Sequence, residues 1–394
     1  MILRFLNLMI LLIFIVVVSF ANASKSIKIQ NHVRIGHDDN LSNSVDSNNQ
    51  IDTLYVSDII NITSKFIPSP SSTFLFFYQP EFTYRFDADD KNLYLQDMYI
   101  NYVKALSAVS QLQVTDRFRI SEPDLNQIEG KSFTENNINI SYQKNVSRNV
   151  GINLLAGYTS RKNEDNFNSW NATRDFERIR ISYLISRMLD QKDKAISGGL
   201  NFNDHEIKHD GGSLISTTLF GGYDYPVNKK IMTSTQLGYT FGKIEGGSGS
   251  SYQDDRETTS PFFEAGLNYK FSKFTDINTS YSYSLRYTTL STYNAEVRSD
   301  WLFAIRHKFT SRISSALSYS LVDSNYESDF LRNFNPSGAK LNDKNSIINF
   351  RTEYKINNDH SLEVGLQLRE RNGWNPAGQD YKRNKFYIGW KLNI

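Results

Sequence analysis

Three observations predict an all-β fold, a transmembrane antiparallel up-and-down β-barrel. Apolar and polar residues alternate with period two from Ile27 to the last residue. The connections between alternating segments are short and long in turn, and the chain ends on an alternating apolar strand. Period two sends successive side chains to opposite faces of a sheet. A barrel wall requires this, because one face meets lipid and the other meets the lumen.

The N-terminus reads as a targeting segment. Arg4 supplies its positive charge, Leu8 to Val18 its apolar stretch, and Ala21-Asn22-Ala23 the small-x-small pattern read by signal peptidase. The expected domains are a signal peptide over 1–23 and an outer-membrane barrel over 24–394. After Val18 no window approaches the ~18 consecutive apolar residues that a spanning helix needs. The mean hydropathy of −0.48 does not exclude a barrel, since only alternate residues of its strands meet lipid.

The alternating segments lie near 27–36, 53–64, 73–86, 92–103, 110–120, 135–143, 150–160, 176–185 and 195–203. They continue near 213–225, 231–242, 261–271, 275–287, 297–309, 313–322, 345–356, 360–370 and 383–394. This gives about 18 strands, or 16 if the poor turn at Lys104 to Val109 is no turn. In the third segment Phe74, Phe76, Tyr78, Phe82, Tyr84 and Phe86 share a face opposite Thr73, Gln79, Glu81, Thr83 and Arg85. Further along, Ile277, Tyr281, Tyr283, Leu285 and Tyr287 oppose Asn278, Ser280, Ser282, Ser284 and Arg286, which assigns the first set to lipid. Short connections such as Lys144 to Asn149 and Asn357 to Asp359 alternate with long ones such as Ser160 to Arg174 and Asp323 to Asp343. Short periplasmic turns and long external loops alternate in this way in membrane barrels.

At the C-terminus Phe386, Ile388, Trp390, Leu392 and Ile394 face one way. Gly389, Leu392 and Ile394 resemble the β-signal read by barrel-assembly machinery, with Ile394 in place of the usual final aromatic. The opening, Val33-Arg34-Ile35-Gly36-His37-Asp38-Asp39-Asn40-Leu41, resembles that of the beta-barrel porin type-2 family, with His37 where a tyrosine is usual. The resemblance implies a barrel in the bacterial outer membrane, of undefined cargo, in some relatives associated with extracellular polysaccharide.

Composition narrows the chemistry. The chain has no cysteine, which removes disulfides, thiolate metal sites and cysteine catalysis. A formal net charge of +2 carries no basic excess toward nucleic acid. The 23 Tyr and 26 Phe are what strands and interfacial girdles use. His205-Glu206-Ile207-Lys208-His209 matches H-E-x-x-H, but the motif needs a helix and there is no room for one before Asp210-Gly211-Gly212. It is read as a polar external loop. His37-Asp38-Asp39-Asn40 is read as a turn whose Asp and Asn side chains bond nearby backbone, in preference to a cation site. No catalytic residue, metal or cofactor is expected.

The expected lumen-lining cations are Arg85, Arg117, Arg119, Arg178, Arg180, Arg286, Arg306, Lys308, Arg351 and Arg369, with Lys270 and Lys355 beside them. Fewer acids share that face: Glu81, Asp224, Glu264, Glu353 and Glu363. Such an interior either favours anions or fills itself with ion pairs. About 18 strands leave room for an aqueous passage unless a segment folds inward, and Asp323 to Asp343 is the longest candidate to do so. The expectation is a channel for small hydrophilic solutes, mildly anion-preferring. Its alternatives are a polysaccharide export conduit, a surface enzyme and a non-conducting structural or adhesive barrel. Expected partners are outer-membrane lipid, the assembly machinery and the solute or polysaccharide.

Overall fold

Strands built from period-two sequence expose one row of N–H and C=O groups on each side, so each needs two neighbours or a bend of the whole sheet onto itself. A computed structural model shows the second solution. It describes residues 24–42, 50–86, 88, 92–121, 133–163, 175–189, 194–208, 212–245, 256–287, 295–327, 341–373 and 380–394. The segment 1–23, read as a signal peptide, lies outside the described residues.

Eighteen strands follow one another: β1 Ser24–Asp38, β2 Thr53–Ser69, β3 Ser72–Arg85, β4 Leu93–Ser107, β5 Ser110–Ser121 and β6 Phe133–Asn145. Next come β7 Val150–Asn163, β8 Phe176–Met188, β9 Ala195–Ile207, β10 Ser213–Asn228, β11 Ile231–Glu245 and β12 Arg256–Ser272. The last are β13 Thr275–Tyr287, β14 Ala295–Lys308, β15 Ile313–Glu327, β16 Leu341–Lys355, β17 His360–Gly373 and β18 Tyr381–Asn393. Each pairs antiparallel with its chain neighbours, and β1 pairs with β18, so the sheet closes.

The choice between 16 and 18 strands is settled at 108–109, where β4 turns into β5. The Ser107 hydroxyl takes the Val109 N–H at 3.2 Å and meets the Ser110 hydroxyl at 2.7 Å. Other inner turns use the same device: Asn228 Oδ1 takes the N–H groups of Lys230 and Ile231, and Asn357 Oδ1 those of Asp359 and His360. At the outer end several strands run further than the alternation indicates. β9 continues to Ile207 and β17 to Gly373, because pairing persists above the level where lipid enforces an apolar face.

Register fixes the two faces. Val33 lies beside Trp390 and Ile35 beside Ile388 on the outside, while His32 lies beside Lys391 and Arg34 beside Gly389 on the inside. Outward Leu54, Phe82, Ile181, Leu219, Leu237, Phe350 and Ile388 are exposed, forming an apolar belt. Tyr84, Phe86, Tyr239 and Phe241 rim its outer edge, and Phe271, Phe274, Phe309 and Trp390 its inner one.

The seam between β1 and β18 has its own fastening. Arg383 grips buried Asp38 with Nε–Oδ1 at 2.8 Å and Nη2–Oδ2 at 2.5 Å. Asn384 donates its N–H and its amide to Asp39, and Asn40 donates to the Lys382 carbonyl at 2.8 Å. The turn reading of Asp38-Asp39-Asn40 is therefore corrected, because these side chains stitch the first strand to the last. Below them, Ile394 N–H bonds the Ile29 carbonyl at 2.8 Å.

Polar groups on the lipid face mostly find partners. Asn31 donates to Asp58 at 2.5 Å, and the Trp301 indole donates to Thr279 at 3.1 Å. Asp116 differs: it shares an outward row with Ile100 and Ile138, and its Oδ1 is buried with no hydrogen-bond partner among the described residues. Replacing Asp116 by Leu is expected to stabilise the folded barrel by about 1–2 kcal/mol, since a carboxylate in the belt is costly. Urea unfolding in detergent micelles measures this, and an unchanged or lower midpoint would contradict it. By the same assay Arg383→Ala is expected to cost about 3 kcal/mol, because it takes both guanidinium contacts away from a buried carboxylate.

Candidate functional site

A closed barrel offers its interior as the site. All ten cations expected there occupy inward register rows: Arg85, Arg117, Arg119, Arg178, Arg180, Arg286, Arg306, Lys308, Arg351 and Arg369. What parity could not tell is which of them are spent on neighbours. Arg117 makes a two-pronged pair with Asp97 at 2.8 and 2.6 Å. Arg119 and Arg161 share Glu135, with contacts of 2.5 and 2.8 Å, and the Arg161 guanidinium lies 4.0 Å from the Phe133 ring centroid. Arg286 and Arg298 share Asp300, at 2.9 and 2.6 Å. The Arg369 guanidinium lies 5.3 Å from the Tyr381 ring centroid.

Others have no carboxylate within ion-pair reach among the described residues. Arg178 bonds only the Thr159 hydroxyl, at 3.4 Å, and Arg180 only that of Ser182, at 3.2 Å. Lys270, Arg306 and Lys308 likewise make no ion pair there. Lys270, Asp276 and Arg306 lie side by side in one inward row, two cations flanking one carboxylate.

On β16–β18 and β1 a polar knot covers the wall. Fully buried Glu363 accepts the Tyr387 hydroxyl at 2.7 Å and the Lys391 ammonium, while Arg351, His32 and Arg34 stand 3.6–3.7 Å away. Lys391 also reaches Glu353 at 3.0 Å, and the Arg34 guanidinium lies 4.6 Å from the Tyr387 ring centroid. Gly365 makes room for this knot, since a Cβ there would lie 2.2 Å from the Tyr387 ring.

The strongest departure from a plain cylinder is at the outer ends of β13 and β14. The β12–β13 ladder runs from the inner turn only as far as Phe263 beside Tyr283. Beyond it β12 remains paired with β11 out to Arg256, and β13 with β14 out to Tyr287 and Ala295. The two strands part. Pro261, which has no N–H to give a ladder, lies two residues past the break. Leu285, Tyr287 and Ala295 then join Phe176, Ile207, Leu214 and Ile244 in one buried cluster, with Val297 packed against it. Those four partners face inward from β8, β9, β10 and β11. The β13–β14 tip has swung into the lumen and lies apolar face down on the opposing inner wall.

The assignment of Leu285 and Tyr287 to lipid is therefore corrected: they are 8% and 9% exposed, inside the barrel. Tyr287 stacks on His205 at 5.0 Å, and His205 on Phe176 at 4.5 Å. Gly242 lets the tip approach, for a Cβ there would stand 3.1–3.3 Å from Leu214, Thr258 and Leu285. Each ladder bond given up costs about 1 kcal/mol net where water can replace it. Burial of one leucine side chain returns about 2 kcal/mol.

His205 is also corrected from loop to strand. It faces inward on β9 while Glu206 faces outward, so the H-E-x-x-H residues do not share a face; His209 lies outside the described residues. Most of the Asp323 to Asp343 segment, nominated as an inward fold, is likewise outside them, at 328–340.

With the tip against β8–β11, an open cavity of about 1010 Å³ remains on the other side. It runs from Arg34, Tyr55, Glu81 and Arg85 on β1–β3 to Lys230, Lys270, Asp276 and Arg306 near the inner turns of β10–β14. Arg161 and Arg371 are inward cations in 160–174 and 371–382, which the sequence reads as loops, and Arg383 is an inward cation at the first residue of the last alternating segment. Arg34 and Arg298 were legible, since each alternates with outward apolar neighbours.

A closed barrel with an apolar belt and a charged interior cavity defines the class: a porin-like β-barrel of the bacterial outer membrane. Residues 237–394, from the middle of β11 to the last residue, match the family described as "Putative beta-barrel porin 2". The opening strand that carries the resemblance in the sequence lies outside that match. No curated protein matches the chain. Among solved structures, the chain is similar to OpdQ of Pseudomonas aeruginosa, with 11% identity, 94% of this chain and 99% of that one covered, and a TM-score of 0.49. It is similar to OccK2 of the same organism, with 12% identity, 94% and 98% covered, and a TM-score of 0.48. It is also similar to the ferric-catecholate import receptor Fiu of E. coli K12, with 8% identity, 94% and 82% covered, and a TM-score of 0.49.

Proposed function

We propose that the mature protein is a channel for passive diffusion of small hydrophilic solutes, with a mild preference for anions. The supporting observation is the inner wall, where arginine and lysine outnumber carboxylates and several cations have no carboxylate partner. Two of these, Lys270 and Arg306, border the cavity. In a low-dielectric wall their field falls on whatever passes, whereas paired cations such as Arg117 contribute mainly packing and local dipoles.

Planar-bilayer recording across a salt gradient tests this. A reversal potential of the sign for anion selectivity is expected, and the double variant Lys270→Gln/Arg306→Gln is expected to reduce the anion-to-cation permeability ratio by about twofold. Cation selectivity in the wild type would overturn the preference, and a folded protein without conductance would overturn the channel.

The route to the membrane belongs to the same proposal. Signal peptidase cuts after Ala23, and the assembly machinery reads Gly389, Leu392 and Ile394 on the last strand. N-terminal sequencing of protein purified from outer membranes is expected to begin at Ser24. A start at Met1 would show the leader to be retained.

A further inference from the structure

We infer that the tip formed by the outer ends of β13 and β14 is the constriction of this pore, with Arg286 the side chain that passing solute meets. The inference rests on the channel reading and adds the element that sets the size of the passage. Three observations carry it.

First, this tip departs from a wall that is otherwise continuous among the described strands: pairing of β13 with β12 stops at Tyr283, while pairing of β14 with β15 continues to Ala295 beside Glu327. Second, its two faces differ in chemistry. The face with Leu285, Tyr287 and Ala295 is buried on the inner wall, whereas Arg286, one residue from each of the first two, keeps 42% of its side chain exposed. Third, the exposed Arg286 side chain is held in shape. Arg286 bonds the Ser284 hydroxyl at 3.1 Å and Asp300 at 2.9 Å, and Asp300 is shared with Arg298. A strand pair with one face seated on the wall and the other turned to the lumen narrows the lumen by its own thickness, about 10 Å where sheets stack face to face.

Absence of cysteine in the chain gives a clean background for thiol probes. Arg286→Cys, Leu285→Cys and Ala295→Cys would each be prepared in detergent, checked for heat-modifiable migration, and treated with the anionic reagent methanethiosulfonate ethylsulfonate. Mass shift measures the extent of reaction, and bilayer current measures the consequence. Arg286→Cys is expected to react rapidly and to lose at least half its current on modification. Leu285→Cys and Ala295→Cys are expected to react at least tenfold more slowly, because their faces are covered. Leu285→Asp, which puts a charge into the seat, is expected to raise single-channel conductance. Equal reaction rates at 285 and 286, or modification of Arg286→Cys without change in current, would overturn the inference. A wild type without current would overturn the channel reading and the constriction with it, while the contrast in reaction rates would still report whether the tip is seated.

Discussion

Hydrocarbon offers a strand no substitute for a missing ladder partner, and the rest of this architecture follows from that constraint. It makes the junction of β1 and β18 the most demanding place in the wall, since it joins residues more than three hundred positions apart without a turn to hold them. The backbone ladder runs the length of the contact, and above it the Asp38–Arg383 pair, Asp39–Asn384 and Asn40 add side-chain contacts to it. The same constraint limits where a ladder can be given up. Between β12 and β13 it ends above Phe263, where the outward residues of β12 pass from Phe263 to Thr259 and Glu257. Beyond that level water can serve the backbone, and β13 is free to part from β12 while β14 keeps its ladder to β15.

Legibility in the sequence follows this division. The order of the strands and the face of the residues at the level of the belt were readable because lipid imposes period two on every segment that crosses it, while the poor turn at 108–109 left the count at 16 or 18. Phe74 to Phe86 and Leu362 to Leu368 show that imposition in full. Above the belt the imposition lapses. His205, Arg161 and Arg371 stand on strand ends that have no apolar row to announce them, and the sequence reads them as loop.

The inward fold of β13–β14 was hidden for a different reason. Leu285 and Tyr287 continue the apolar row of Tyr281 and Tyr283 without interruption, and alternation is the same whether that row meets lipid or the inner wall of the barrel. Only indirect signs were present: Pro261 near the break, and Gly242 where a larger residue would crowd the tip. Ion pairing was illegible in principle. Parity assigns Arg117 and Asp97 to the lumen, but their meeting depends on a register set by the turn at 108–109.

The consequence for transport is an asymmetric interior. The tip occupies the outer half on the side of β8–β11, so the open space runs obliquely from the outer half of β1–β3 to the inner turns of β10–β14. Cations are distributed unequally along that course. Near its start Arg34 stands 3.7 Å from Glu363 and over Tyr387, within a knot where Arg34, Arg351 and Lys391 surround Glu363 and Glu353. Near its inner end Lys270 and Arg306 flank Asp276 alone. In the proposed channel a solute would meet cations held by carboxylates first, and Lys270 and Arg306, which make no ion pair among the described residues, afterwards. Any preference for anions would be exerted late in the passage, and exchanging the paired arginines would alter stability before it altered selectivity.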